Sequence, residues 1–450
     1  MKLFTIIVSL VSLIWAAHSI TLNVTSIFLA IAFLFSGICV IKYKNLPISF
    51  LLSWYLIWIP LFAAHDRYLG IEYLNQVGFI LRIGATQLAL IICLFIAFYS
   101  FFLNQRAEKS QFSRIDFIFT LFISWIVLGY YFQNDLSDII TKRFYGWIPY
   151  YLMIYVIGRI WITNKQELKW MLQSSVLSML MVVISRYFYQ SPLSFLDSYY
   201  RLEVNYIYLS AVIYSQILVL IVPSAFYFFK YQKTYKPVFI IAFILIFLET
   251  LFSQTRGAYI AIFIYIIIYY LNETKGYSNR WKKIFLLLLV GVIFFILVFF
   301  LLNLREEAHG SNEGSSDYRL LMMGYYLEEI LKNIFTGYGY GSEGAKGIFI
   351  EGAHNTYLGI LYDAGIIGLS IFLALVYSIY NALKKNIQDH EMKQYAVVIK
   401  YGLLTQVIHW MFTGNNLFYS IPMQIMFFVI LFVVSVPTIC QKNNLGMGLD

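Results

Sequence analysis

The chain has 450 residues, 60% hydrophobic and 12% charged, with a mean hydropathy of +0.73. Soluble domains carry about 25% charged residues. The composition therefore excludes an ordinary water-soluble fold and points to a multi-pass membrane protein. The net charge of +9 follows loop topology, as described below, and does not indicate nucleic-acid binding.

Fourteen apolar spans can be traced in chain order, near 3–20, 23–41, 46–64, 83–103, 115–132, 144–163, 171–189, 207–229, 237–254, 257–271, 284–303, 356–382, 401–418 and 421–440. Short connections near Asn23, Arg256 and Ser420 make the range 12–14. A transmembrane β-barrel would show alternating segments of about 10 residues, roughly half the length of these runs. The expected fold is thus an all-α integral membrane protein with one large outer loop. Met1–Ser19 reads as the first span, although its basic start and Ala17-His18-Ser19 end also fit a signal peptide. Cys39, Cys93 and Cys440 lie in apolar segments with no motif spacing, which argues against a disulfide framework or a zinc site. Most of the many Tyr and Phe residues fit aromatic belts at the two interfaces.

Alternate loops sort by charge. One set holds twenty basic residues, from Lys2 through Lys42, Arg106, Lys230 and Lys283 to Lys442; the other holds ten. The positive-inside rule puts the first set in the cytoplasm. Both termini are then cytoplasmic, and the segment 304–355 lies outside the cytoplasmic membrane. ATP and nucleotide sugars are absent there, so an enzyme on that face needs an energy-rich substrate such as a polyprenyl diphosphate. No Walker or dinucleotide motif opposes this reading.

The outer segment has its own pattern. Leu320, Met323, Leu327, Ile330, Leu331 and Ile334 recur with helical period between Asp317 and Phe335. Ser316 is the expected N-cap and Gly337 the expected stop. This helix is expected at the membrane surface, closing over a cavity. The turn Gly337-Tyr338-Gly339-Tyr340-Gly341 follows, with backbone N–H groups able to line an anion. His354-Asn355 stands where the loop re-enters the membrane, and Asn355 can cap the next helix. An imidazole at that boundary can take a proton from an acceptor hydroxyl, or serve only as an interfacial hydrogen-bonding group.

Three arginines are candidates for gripping a diphosphate or a neighbouring acid. Arg256 lies in the tight turn Ser253-Gln254-Thr255-Arg256-Gly257-Ala258, and Arg319 at the start of the loop helix. Both guanidinium groups can bond a diphosphate bidentately, or snorkel to the interface. Arg186 lies inside a span, where charge is functional by default, or pairs with Glu249. Asp363, about 13 Å along a straight helix from His354, reads as a structural carboxylate inside the membrane. No Asp-x-Asp metal pair is present, which favours a reaction with neither metal nor cofactor.

In order and spacing, Thr255-Arg256-Gly257, Asp317-Tyr318-Arg319, Thr336-Gly337-Tyr338-Gly339-Tyr340-Gly341, Ala353-His354-Asn355-Thr356-Tyr357-Leu358 and Asp363-Ala364-Gly365-Ile366-Ile367-Gly368 resemble the O-antigen ligase and O-antigen polymerase superfamily. The resemblance runs from about Phe239 to Leu383. The chain departs from many members in having Asn333-Ile334-Phe335, without proline, before the Gly-aromatic-Gly turn. The organisation expected is N-terminal helices over 1–236, the family-like region over 237–383 and C-terminal helices over 384–450.

The resemblance implies a metal-independent glycosyltransferase of the inner membrane. Its donor is a polyprenyl-diphosphate-linked oligosaccharide, and its acceptor a glycan or lipid A-core. His354, Arg319 and Arg256 would be catalytic, and Arg186, Tyr338, Tyr340 and Asn355 would bind substrate. Besides the lipid bilayer, a flippase and a chain-length regulator are candidate partners. A polymerase is the first reading and a ligase its rival in the same chemistry. A polysaccharide flippase, which should show two similar halves, and a small-ion permease are the alternatives of another class.

Overall fold

The computed structural model describes residues 113–131, 211–253, 255–273, 316–339, 355–386 and 393–412, with scattered helical positions between 168 and 184 and between 285 and 296. Seven helices are delimited: α1 (Arg114–Tyr131), α2 (Ala211–Tyr231), α3 (Lys236–Phe252), α4 (Arg256–Glu273), α5 (Ser316–Lys332), α6 (Thr356–Asn386) and α7 (Lys393–His409). No strand occurs among the described residues. By length and composition two helical stretches, Arg114–Tyr131 and Thr356–Lys384, are long and apolar enough to cross a membrane, the second counted across a break at Gly365. Those features agree with an all-α membrane protein. Both termini and most of the remaining predicted spans lie outside the described residues.

Local signals explain several boundaries. Ser113 and Asp116 form a reciprocal capping box on α1: Ser113 N donates to Asp116 Oδ2 at 2.7 Å, and Asp116 N to Ser113 Oγ at 3.3 Å. Pro237 sits in the first turn of α3, where its missing N–H costs nothing. The span predicted near 401–418 is shifted: α7 starts at Lys393 and ends at His409, followed by a turn through Phe412. The apolar pattern missed its first turns because Lys393, Gln394 and Lys400 interrupt the hydrophobic run.

Helix α7 is central. It packs against α2, α4 and α6; α2 also packs on α3, and α6 on α1 and α5. Between α2 and α7 runs a line of buried polar contacts. Gln406 Nε2 donates to Gln216 O at 2.6 Å, Thr405 Oγ1 to Val219 O at 3.4 Å, and Ser215 Oγ is bonded to His409 Nε2 at 3.3 Å. Near the opposite end of these helices Tyr227, Tyr265, Tyr269, Tyr395 and Tyr401 gather, and Lys230 Nζ donates to Tyr269 OH at 2.7 Å. This is the kind of aromatic band expected where helices leave an apolar layer.

Helix α6 departs from the prediction of a continuous span. It breaks at Gly365, which adopts φ 64 and ψ −173. In a straight helix residues 357 and 372 would be about 22 Å apart; their rings are 6.5 Å apart. The chain therefore turns sharply, and Thr356–Ala364 and Ile366–Asn386 are separate helical segments. Asp363 lies at this break, rather than deep along an unbroken span.

The break leaves carbonyl and N–H groups without helical partners, and neighbouring elements supply them. Tyr338 N donates to Tyr362 O at 2.9 Å, and Gly339 N to Asp363 O at 2.8 Å. Trp125 Nε1 of α1 donates to Ala364 O at 2.8 Å. In return Ile366 N donates to Ile334 O at 2.8 Å, and Ile367 N to Phe335 O at 3.4 Å. The turn after α5 is thus stitched into the broken helix through backbone atoms.

Such proximity requires glycine on both sides. A Cβ at Gly365 would lie 2.2 Å from Phe335 O, and one at Gly337 would lie 2.5 Å from Gly365 N. Both residues also have positive φ. By contrast, a Cβ at Gly324 on α5 meets nothing within 4 Å. Gly365→Ala and Gly337→Ala are each expected to destabilise the fold by more than about 2 kcal/mol, as positive-φ strain and backbone collision combine. Gly324→Ala should be neutral, or stabilising by up to about 1 kcal/mol. Thermal unfolding of the detergent-solubilised full chain, with membrane yield measured alongside, checks the contrast.

Candidate functional site

Arg256 is the first residue of α4 and half-buried. Its turn is firmly held. Ala258 N and Tyr259 N donate to Thr255 O, at 3.1 and 3.2 Å. Ser253 Oγ donates to Thr250 O and contacts Thr255 Oγ1 at 3.1 Å. Tyr259 OH of α4 reaches back to Leu251 O of α3 at 2.6 Å. These bonds fix the angle at which α4 leaves α3, and with it the backbone that carries Arg256.

On the other side of α4, Gly257 meets the end of α7. A Cβ there would lie 2.9 Å from Phe412 Cβ and 3.4 Å from His409 Cδ2. A side chain at position 257 would therefore push the turn away from α7. The tight Arg-Gly sequence follows from this close approach.

The start of α6 is pinned to the same end of α7. Asn355 caps α6 as the sequence suggests: its Oδ1 accepts from Tyr357 N at 2.9 Å and from Leu358 N at 3.2 Å. Its Nδ2 donates to Met411 O at 3.2 Å, and Thr356 N donates to Trp410 O at 2.9 Å. Tyr357 OH donates to Val407 O at 2.8 Å. The turn His409–Phe412 thus touches the Arg256-Gly257 turn and the residues directly after His354.

Arg319 is the fourth residue of α5, at the end of its first turn. Tyr326 and Ile330 come seven and eleven residues later, in helical register with it, and form the face of α5 that packs on α6. Tyr326 meets Tyr362 edge-on at 5.4 Å, and Tyr338 stacks on Tyr362 at 4.8 Å. The predicted amphipathic helix is present, ending three residues early at Lys332. Asn333 completes the stop, with Gly337 N donating to Asn333 O at 2.9 Å and Asn333 Nδ2 to Gly337 O at 2.6 Å.

The glycine turn is used differently from the expectation. The N–H groups of Gly337, Tyr338 and Gly339 are donated to Asn333 O, Tyr362 O and Asp363 O. They serve the fold and do not line an anion. Tyr338 OH donates to both Glu329 O and Glu329 Oε2 at 3.1 Å, and Glu329 also pairs with Lys332. Burial, then the hydrogen bond to Glu329, raises the Tyr338 phenol above its ordinary pKa. It stays protonated at neutral pH and is no proton acceptor there.

His354, Arg186 and Tyr340 lie outside the described residues. Among those described, no three His, Cys, Asp or Glu side chains converge as metal ligands. One residue that the sequence reading passed over is His409, fully buried between α2 and α4. Its signal was available, since an ionisable residue within an apolar span warrants attention by itself. The hydrophobic run around it hid that signal.

Removing the cap provides a direct check of this junction. Asn355→Ala should lower stability by about 1 kcal/mol, whereas Asn355→Asp keeps the acceptor and should recover part of the loss. Thermal unfolding of the solubilised protein reads both.

Comparison with known families agrees with the motifs. Residues 238–373 match the family model described as O-antigen ligase. That stretch contains Arg256, Arg319, Tyr338, Tyr340, His354 and Asn355, and leaves out Arg186 and His409. No curated protein sequence matches the chain. Over residues 238–373, about a third of its length, the chain is therefore similar to the O-antigen ligase family.

Proposed function

We propose that the chain is a glycan polymerase acting at the outer face of the cytoplasmic membrane. Its donor is an oligosaccharide on a polyprenyl diphosphate, and its acceptor a repeat unit on a second carrier. The observation that carries this reading is the junction at the end of α7. There the turn bearing Arg256 and the helix start after His354, both within the family-matched region, are held by one short turn, His409–Phe412, that lies outside it.

In this reading Arg256 and Arg319 grip the diphosphate. The acceptor hydroxyl attacks the anomeric carbon of the donor sugar. The bond from that carbon to the diphosphate oxygen breaks as the new glycosidic bond forms, and the guanidinium groups stabilise the charge gathering on the leaving diphosphate. His354 takes the acceptor proton, or orients the hydroxyl by a hydrogen bond. Asn355, whose carboxamide is committed to the cap and to Met411, anchors the position that directly follows His354 in the sequence. Tyr338 is half-buried and offers the remainder of its surface to the glycan, with Tyr340 beside it in sequence. Arg186 is assigned to the donor side. The reaction needs no metal, because the arginines supply the charge a cation would otherwise provide.

A ligase, moving finished glycan to lipid A-core or protein, uses the same steps. The match of residues 238–373 to the O-antigen ligase family keeps it as the second reading. A deletion strain separates the two. Loss of long chains with single repeats still attached indicates a polymerase. Loss of all attached glycan, with polymer accumulating on the carrier, indicates a ligase.

Arg256→Ala, Arg319→Ala and His354→Ala should each reduce glycan transfer by about 100-fold or more, while a chelator leaves it unchanged. Chain-length profiles of complemented cells and transfer by washed membranes read these effects. Full activity in all three variants would leave the transferase reading without support.

A further inference from the structure

Resting on that reading, we infer that His409, bonded to Ser215, is a positioning residue for the diphosphate-gripping arginine. His409 closes α7 and is fully buried. Its Nε2 meets Ser215 Oγ of α2 at 3.3 Å, and its ring borders Gly257, the residue after Arg256. Phe412 N donates to His409 O at 3.0 Å, so the same residue starts the turn that presents Trp410 O and Met411 O to α6. His409 thus stands where three pieces meet: α2, the Arg256-Gly257 turn, and the anchor of the helix that follows His354.

The physical argument concerns orientation. A buried hydrogen bond between Ser215 and the imidazole fixes the ring plane. The fixed plane sets how closely Gly257 approaches α7, because glycine offers no side chain to absorb a change. Since Arg256 opens α4, a small tilt at Gly257 is carried to its guanidinium. A charged grip on a diphosphate depends on such geometry more than on the presence of charge. The neighbouring Thr405 and Gln406 bonds to α2 hold the helix axis itself. This leaves His409 the separate task of setting the turn.

The test uses the full chain in nanodiscs, with undecaprenyl diphosphate as the probe and undecaprenyl monophosphate as the control. The diphosphate is the leaving group whatever sugar is transferred, so the sugar need not be known. His409→Leu should weaken diphosphate binding about tenfold, within the usual range of coupling between residues in contact. Monophosphate binding and the unfolding midpoint should change little. His409→Gln, whose amide reaches Ser215 in place of Nε2, should restore binding to near the wild-type level. In the Arg256→Ala background, His409→Leu should have no further effect.

Several outcomes overturn the inference: unaltered diphosphate binding in His409→Leu, failure of His409→Gln to rescue, or a full additional loss on top of Arg256→Ala. If His409→Leu does not accumulate, Ser215→Ala takes its place with the same expected loss, and wild-type binding there overturns the inference equally. Unchanged binding in Arg256→Ala alone counts instead against the proposed function, so the two failures are distinguishable.

Discussion

The described structure depends on how the break in α6 is closed. A helix interrupted in apolar surroundings exposes carbonyls and N–H groups that water cannot reach, each costing several kcal/mol if left unmatched. Here Tyr338, Gly339 and Trp125 donate to the freed carbonyls, while Ile334 and Phe335 accept from the freed N–H groups. The outer-loop turn therefore functions as the missing part of a helix. Mutual closeness at Gly337 and Gly365 leaves no room for a side chain on either. The bend then lets α6 bring both its first turn and Phe372 to Trp410.

A second constraint acts at the end of α7. Its last residues contact α2, the turn entering α4 and the first turn of α6. The catalytic arrangement proposed above draws on distant parts of the chain and would need a rigid common reference. The His409–Phe412 turn joins the Arg256-Gly257 turn to the start of α6 without belonging to the family-matched stretch. Aromatic stacking of Tyr326, Tyr362 and Tyr338 gives α5 a comparable attachment, so the helix bearing Arg319 is seated on α6 by side chains as well as through its following turn.

Much of the local organisation was legible in sequence. The loop helix, the Asn355 cap and the tight Arg256 turn each follow from short-range rules, and each is present. The N–H groups of Gly337, Tyr338 and Gly339, expected to be open to an anion, are committed to the fold for a specific reason. Free N–H groups and N–H groups donated to a distant helix look identical in sequence, and only the break at Gly365 creates acceptors for them. His409 was hidden because hydropathy averages over a window and masks a single polar residue. The start of α7 was misjudged for the converse reason, since a few charged residues conceal a helical turn from the same average.

By itself the sequence determined the class of protein, the period and caps of its helices, and the family to which residues 238–373 are similar. Those properties arise from composition and from contacts within a few residues. The tertiary structure alone decided that α6 is two segments, that the glycine turn completes it, and that Arg256 and Asn355 share an anchor at the end of α7. Each of these depends on hydrogen bonds or close approaches between groups far apart in the chain. No local pattern encodes which distant carbonyl will be left without its helical partner.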